Sequence, residues 1–329
     1  MKTLVVFDSE HLENIGCRLT SRGVKRFVSL SSSEVISVTA QTIFTIGKSL
    51  QRSLCYKLLS RSPGSLAVWW RWRLVQKRVA LEFTELFAKS DRIVINGEGA
   101  IHHANTTGLI LLACIELAKK LDKNVSLINV TLEALPSCVV SSLTACNGIV
   151  TRESTTSHYL KTIAPRAKVI TGYDFAWYEL CSSYREYLLA YRGKSARTLY
   201  TPGVAGAELP ASVDSSLVTF LAVERSDNAR IPVPGMSSVS LTAESEVAEL
   251  FHLLDDHALL VSGRHHINIV GFFFGIPVQP LQSNTWKTAA TVRDLLLVEG
   301  LGNDDRSRVG PLKSATVHHI QGWFEKLVL

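Results

Sequence analysis

Along this chain, short β-branched apolar runs alternate with longer stretches whose apolar residues recur every three or four positions. Thr3–Asp8, Asp91–Asn96, Val125–Val130, Gly148–Glu153 and Ala167–Asp174 read as strands. Helices are predicted over 17–30, 42–60, about 70–88, 109–121 and 154–163. Each helix must return the chain to the starting edge of the sheet, so the strands are expected to be parallel. The runs are continuously apolar rather than alternating, as in strands covered on both faces.

The pattern loosens from Leu180 to Ala211, where TPGVAGAELPAS reads as a connection. It then resumes. Strands are expected at 216–225, 258–264 and 276–281, with helices at 243–254, 265–275 and 315–329 and a loop at SDNARIPVPGM. A length of 329 residues fits two domains. The expected division is an N-terminal α/β domain over 1–185, a C-terminal α/β domain over 186–312, and a helix over 313–329 packing near their junction. Ligands of such sheets sit at the C-terminal ends of the strands. A cleft between the two layers is therefore the expected site.

Composition excludes several alternatives. Charged residues make up 19% of the chain, so a large core can be buried and disorder is not expected. The six cysteines have irregular spacing and no CxxC pair, which suggests reduced thiols in a cytoplasmic protein. The opening MKTLVVFDSEHLENIG meets Asp8 and Glu10 too soon for a signal peptide and is expected to be the first strand. The runs Leu109–Ala118 and Ile267–Val278 are too short to span a bilayer.

The formal charge of +6 is unevenly spread. No acidic residue lies between Glu34 and Glu82, whereas Lys48, Arg52, Lys57, Arg61, Arg71, Arg73, Lys77 and Arg78 do, together with Trp69, Trp70 and Trp72. A solvated basic helix with its tryptophans turned inward is one reading. Peripheral contact of residues 48–78 with an anionic membrane is another, since Trp and Arg suit that interface. No nucleic-acid motif accompanies the charge, and nucleic acid is not an expected partner.

Three loops after strands hold the candidate chemistry. The first is Asn96-Gly97-Glu98-Gly99, followed by His102 and His103. It is neither a GxGxxG nor a Walker loop. Glycines on both sides of Glu98 would expose its carboxylate to a sugar hydroxyl, as acceptor or general base. Adjacent histidines seldom serve one metal, and no metal is expected. The second is Thr151-Arg152-Glu153-Ser154, where Arg152 and a helix start would favour an anion, unless Arg152 and Glu153 simply cap the helix. The third is Ser262-Gly263-Arg264-His265-His266, with Ser283, Asn284 and Lys287 after the next strand. Cations and an imidazole at a helix start suit a small polyanion and a proton transfer.

These segments resemble the polysaccharide pyruvyl transferase family. The likeness rests on Asn14-Ile15-Gly16, Asn96-Gly97-Glu98-Gly99, Arg152-Glu153-Ser154, Arg264-His265-His266, Gly275-Ile276-Pro277 and Ser283-Asn284-Thr285-Trp286-Lys287, over roughly residues 3 to 295. It departs from the family pattern at His265, where an apolar residue is common, and at Ile267, where a small one is.

The resemblance implies two Rossmann-like domains facing across a cleft, as in GT-B glycosyltransferases. It also implies transfer of a pyruvyl group from phosphoenolpyruvate to sugar hydroxyls in surface-polysaccharide and cell-envelope biosynthesis, with no cofactor. Arg264 would hold the donor and His266 would be the general acid. With these, Glu98 is the candidate base. Arg152, His265, Ser283, Asn284 and Lys287 are candidate donor contacts. Asn14, Gly16, Asn96, Gly97, Gly99 and His102 are candidate acceptor contacts. The acceptor would be a sugar or lipid-linked glycan at the inner face of the membrane. A nucleotide-sugar glycosyltransferase resembling the sialyltransferases, and an inactive binding homologue, remain open.

Overall fold

The computed structural model describes residues 1–61, 64–103, 105–203, 209–211, 213–224, 226–227, 231, 236–241, 245–283, 285–301 and 309–327. The chain forms two compact units. The first comprises Met1–Ser9 and Val24–Asp174, the second Glu10–Gly23 and Phe175–Val328.

The first unit is built on a six-stranded parallel sheet. Its strands are β1 (Lys2–Asp8), β2 (Glu34–Thr39), β3 (Arg92–Asn96), β5 (Asn124–Val130), β7 (Gly148–Thr151) and β8 (Val169–Thr171). The order is β2-β1-β3-β5-β7-β8, and every neighbouring pair is parallel. Leu4, Val5, Val6, Ile93, Val94 and Ile95 are fully buried, which is why these runs lack alternation. A small parallel pair, β4 (Ile101–His102) and β6 (Leu132–Glu133), sits beside the sheet.

The helices here are α1 (Ile15–Ser29, its first residues counted with the second unit), α2 (Ala40–Arg52), α3 (Leu54–Ser60), α4 (Ser65–Ala88), α5 (Thr106–Lys120), α6 (Val140–Ala145) and α7 (Ser154–Ile163). Helix α4 buries Trp72, Val75, Val79, Phe83 and Phe87 along one face. Of the tryptophan cluster only Trp72 turns inward; Trp69 and Trp70 are exposed.

The second unit has a five-stranded parallel sheet in the order β11-β10-β9-β12-β13. These are β9 (Thr198–Thr201), β10 (Val218–Ala222), β11 (Ser237–Ser240), β12 (Leu259–Ser262) and β13 (Val278–Pro280). Its helices are α8 (Phe175–Ser183), α9 (Val247–Asp255), α10 (His265–Phe274), α11 (Lys287–Val298) and α12 (Ser314–Lys326). Gly275 closes α10 at φ 93°, a left-handed stop that suits glycine. Helix α12 packs on α8 through Phe324, whose ring lies 5.2 Å from those of Phe175 and Tyr178.

Several expectations need correction. The helix expected over 42–60 is two helices, broken at Ser53, whose extended backbone (ψ 129°) interrupts the ladder. β2 and α11 were not anticipated. β9 falls inside the stretch read as a connection, yet it is the central strand of its sheet. Residues 204–208 and 212 of TPGVAGAELPAS, residues 225, 228–230 and 232–235 around SDNARIPVPGM, and residues 243–244 and 328–329 at the ends of two expected helices lie outside the described residues. Among the described residues, no helix is long and apolar enough to cross a membrane.

Each sheet reverses its winding once. From β1 the chain goes outward to β2, then crosses to β3 on the other side of β1. From β9 it goes outward to β10 and β11, then crosses to β12. The loops leaving strands at such a reversal diverge and open a crevice. The Glu98 loop follows β3, and the Arg264–His266 segment follows β12.

Candidate active site

In the second unit, β12 ends at Ser262. Its Oγ accepts from the Arg264 N–H at 3.0 Å and donates to the Arg264 carbonyl at 3.2 Å, fixing the turn into α10. Arg264 is the N-cap of that helix and is almost fully buried. Its Nη2 pairs with Asp227 Oδ1, and its Nη1 pairs with Glu224 Oε1 at 3.2 Å. Asp227 is fully buried and also accepts from the backbone N–H groups of Val223 and Glu224, at 3.1 and 3.2 Å. Asn14 Nδ2 donates to Glu224 Oε1 at 2.8 Å, while Asn14 Oδ1 accepts from Gly16 N–H at 2.9 Å at the start of α1. Residues after β10, after β12 and before α1 thus form one polar network.

That network alters the expected role of Arg264. The sequence suggested a guanidinium with charge to spare for an anion. Here two carboxylates already take its terminal nitrogens, and its buried Nε makes no hydrogen bond among the described residues. Of the two carboxylates, Glu224 is partly exposed and Asp227 is not.

His266 sits one residue inside α10. Its Nε2 lies 3.1 Å from Thr20 Oγ1 of α1. The two helices meet at Gly16, where an added Cβ would lie 2.2 Å from His266 Cβ and 2.6 Å from Cγ. Only a residue without a side chain fits there. Gly16, read from sequence as an acceptor contact, lies against the expected general acid, while Asn14, read likewise, bonds Glu224. His265 is buried, its ring 5.2 Å from that of His266. Past β13, on the strand next to β12, Ser283 is half-buried and Lys287 begins α11. Asn284 lies outside the described residues.

In the first unit, the candidate loop joins a rim of unusual backbone. Phe7, Glu98 and Asn129 have φ of 73°, 41° and 56°, at the ends of β1, β3 and β5. Left-handed backbone at non-glycine residues is costly and concentrates at functional sites. Glu98 is nearly buried, and its Oε2 accepts from Ser9 Oγ at 3.0 Å. Asn96 bridges the neighbouring strands: its Nδ2 donates to the Phe7 carbonyl and its Oδ1 accepts from Asn129 Nδ2, both at 3.3 Å. It is fully buried and acts as a fastener of the rim. Gly97 is required by packing, since a Cβ there would lie 2.6 Å from Val130 Cγ2. Gly99 lies in the turn between β3 and β4, and His102 is held in the β4–β6 pair.

Arg152 follows β7 and is buried. Its Nη1 pairs with Asp174 Oδ2 at 2.9 Å, and its Nε donates to Thr131 Oγ1 at 2.8 Å. Among the described residues its Nη2 makes no hydrogen bond. Glu153 caps α7 by accepting from the Thr156 N–H at 2.8 Å. Ser9, Thr20, Glu224 and Asp227 escaped the sequence reading. A strand-end rule applied to β10 would have pointed to Glu224 and Asp227.

Two parallel α/β sheets with polar networks at their reversal points offer places where a ligand could bind. In a comparison with known families, the polysaccharide pyruvyl transferase family matches residues 41–282. The chain belongs to that family and is a transferase. The match takes in the Glu98 loop, Arg152 and Arg264–His266, and also the basic Trp-rich segment; Asn14, Gly16 and Lys287 fall outside it. No curated protein matches the sequence.

Proposed function

We propose that this chain transfers the pyruvyl group of phosphoenolpyruvate to two hydroxyls of a sugar in a surface-polysaccharide or glycan precursor, giving a cyclic pyruvate ketal and phosphate. In the first step a sugar oxygen bonds to C2 of the donor while C3 takes a proton. In the second, another hydroxyl of the same sugar displaces phosphate at C2. Both hydroxyl protons are accounted for, one on the new methyl group and one on the released phosphate.

The observation that carries the reading is the seating of His266. It is wedged on Gly16, bonded to Thr20, and adjoins Arg264 at the mouth of α10. An imidazole so fixed suits proton delivery to a carbon, which demands tight positioning. Arg264 and the N-terminal end of α10 would meet the donor's carboxylate or phosphate once Glu224 yields. In this reading Arg152, His265, Ser283 and Lys287 are further donor contacts. Glu98 acts as base for the sugar hydroxyl, among Asn96, Gly97, Gly99 and His102. The reading takes the two units to face each other in the GT-B manner. It requires no cofactor and places the work in the cytoplasm.

The test supplies phosphoenolpyruvate with a panel of sugar and lipid-linked acceptors and follows phosphate release together with ketal formation. Turnover by the wild type and its loss in His266→Ala support the assignment. Equal inertness of both proteins, with no thermal stabilisation by phosphoenolpyruvate, refutes it. One observation favours a second reading. Glu224 supplies a partly exposed carboxylate at the end of β10, as a ribose-binding site would need. Stabilisation by CMP or UDP, without any by phosphoenolpyruvate, would select the nucleotide-sugar glycosyltransferase instead.

A further inference from the structure

The first unit carries a helical segment, α2–α4, that the proposed chemistry does not use. It holds a cavity of about 490 Å³ walled by Lys57, Arg61, Arg71 and His103, with no carboxylate among its described lining residues. Tyr56 is buried at this wall. Its hydroxyl lies 3.0 Å from Thr106 Oγ1 and accepts from Arg71 Nη2 at 3.3 Å, and the Arg71 guanidinium stands 5.2 Å from its ring. A second cavity of about 460 Å³ shares Tyr56 and is mostly apolar, lined by Leu50, Leu74 and Leu81 with Lys77 and Arg78. The outer surface of the same helices exposes Leu54 and Leu58, one turn apart on α3, and Leu66, Trp69 and Trp70 on α4.

We propose that α2–α4 dock the protein on an anionic bilayer, with a phospholipid phosphate in the basic cavity and exposed Leu and Trp side chains in the interface. Charge complementarity selects this occupant. The segment has no acidic residue between Glu34 and Glu82, so a second copy of the same face would be repelled. Exposed apolar groups interleaved with Lys and Arg match a headgroup layer, where Trp rings sit half in hydrocarbon and cations meet phosphate. Arg73 lies 5.8 Å from the Trp69 ring, which holds one such pair together.

Sedimentation with vesicles tests this without donor, acceptor or turnover, so it stands or falls apart from the pyruvyl transfer. Wild type should bind phosphatidylglycerol–phosphatidylcholine vesicles far better than pure phosphatidylcholine, and 0.5 M salt should weaken that binding. Each basic residue near an anionic surface is worth about fivefold in partitioning, so Lys57→Gln/Arg61→Gln should bind roughly 30-fold less. Trp69→Ser/Trp70→Ser should also lose binding. All four positions are exposed, and a thermal melt matching the wild type verifies the fold. Equal binding to both vesicle types, or wild-type binding by both double variants, overturns the proposal. So does release from phosphatidylglycerol vesicles by a single-stranded oligonucleotide at low excess, which would make the face a nucleic-acid surface.

Discussion

Replacing Gly16 by alanine probes the proposed catalytic arrangement through a single methyl group. The added carbon would stand 2.2 Å from His266 Cβ. Non-bonded carbons rest about 3.5–4.0 Å apart, so the gap must widen by more than about 1 Å. Turning the imidazole about χ1 gives no relief, because the nearest atom is Cβ, which is fixed to the backbone of α10. The start of α1 must therefore part from α10, and the Thr20–His266 hydrogen bond of 3.1 Å goes with it. Overpacking of this kind costs about 1–3 kcal/mol, against at most about 1 kcal/mol gained by alanine over glycine in a helix. At about 2–4 °C per kcal/mol, the melting temperature should fall by several degrees. A displacement of about 1 Å at a reacting group costs on the order of 100-fold, so turnover should drop far more than stability. Differential scanning calorimetry and phosphate-release kinetics measure the two effects. A variant that melts no lower than the wild type and turns over at the same rate would show that the helices are not in contact at Gly16.

Arg264→Ala removes a cation that pairs with the fully buried Asp227; it should lose about 3–5 kcal/mol in urea unfolding, with part recovered in Arg264→Ala/Asp227→Ala. If Arg264→Ala unfolds no more easily than wild type, the pair is not buried as described. His266→Asn should keep donor affinity by calorimetric titration while turnover falls by about 10²–10⁴; equal loss of both would contradict a general-acid role. Burial lowers the His257 imidazole below its ordinary 6.5, partly opposed by its 2.7 Å hydrogen bond from Nδ1 to the Leu253 carbonyl. The unfolded chain then takes up that proton first, so stability should decline as pH drops below about 6.5, and less steeply in His257→Gln. Burial raises the Cys114 thiol and pushes Cys146 to about 12 and Cys181 to about 11. Alkylation at pH 8, read by peptide mass spectrometry, should mark the exposed Cys55 first and spare Cys114 and Cys146 until unfolding.

Central strands such as β1, β3 and β5 were legible because burial on both faces demands unbroken apolar runs. β11 was not, because SSVS is an exposed edge and carries almost no hydrophobic signal. β9 is four residues set among polar ones, and its central position follows only from pairing with β10 and β12. The split at Ser53 was hidden because Leu50, Leu54 and Leu58 keep helical spacing across it. The same contrast runs through the site. Arg264 and His266 were visible from their place where a strand gives way to a helix. Glu224, Asp227 and Thr20 were not, since their importance lies in partners 40, 37 and 246 residues away.

Phe7, Glu98 and Asn129 bend the backbone the wrong way at three neighbouring strand tips, at about 1–2 kcal/mol for Phe7 and Glu98 and less for Asn129, since asparagine tolerates that region better. Glycine could occupy any of them more cheaply, though without the phenyl, carboxylate or amide group. A thermostability screen of this protein should therefore repeatedly select glycine at these tips, and the hardier enzymes so obtained should be the slower ones.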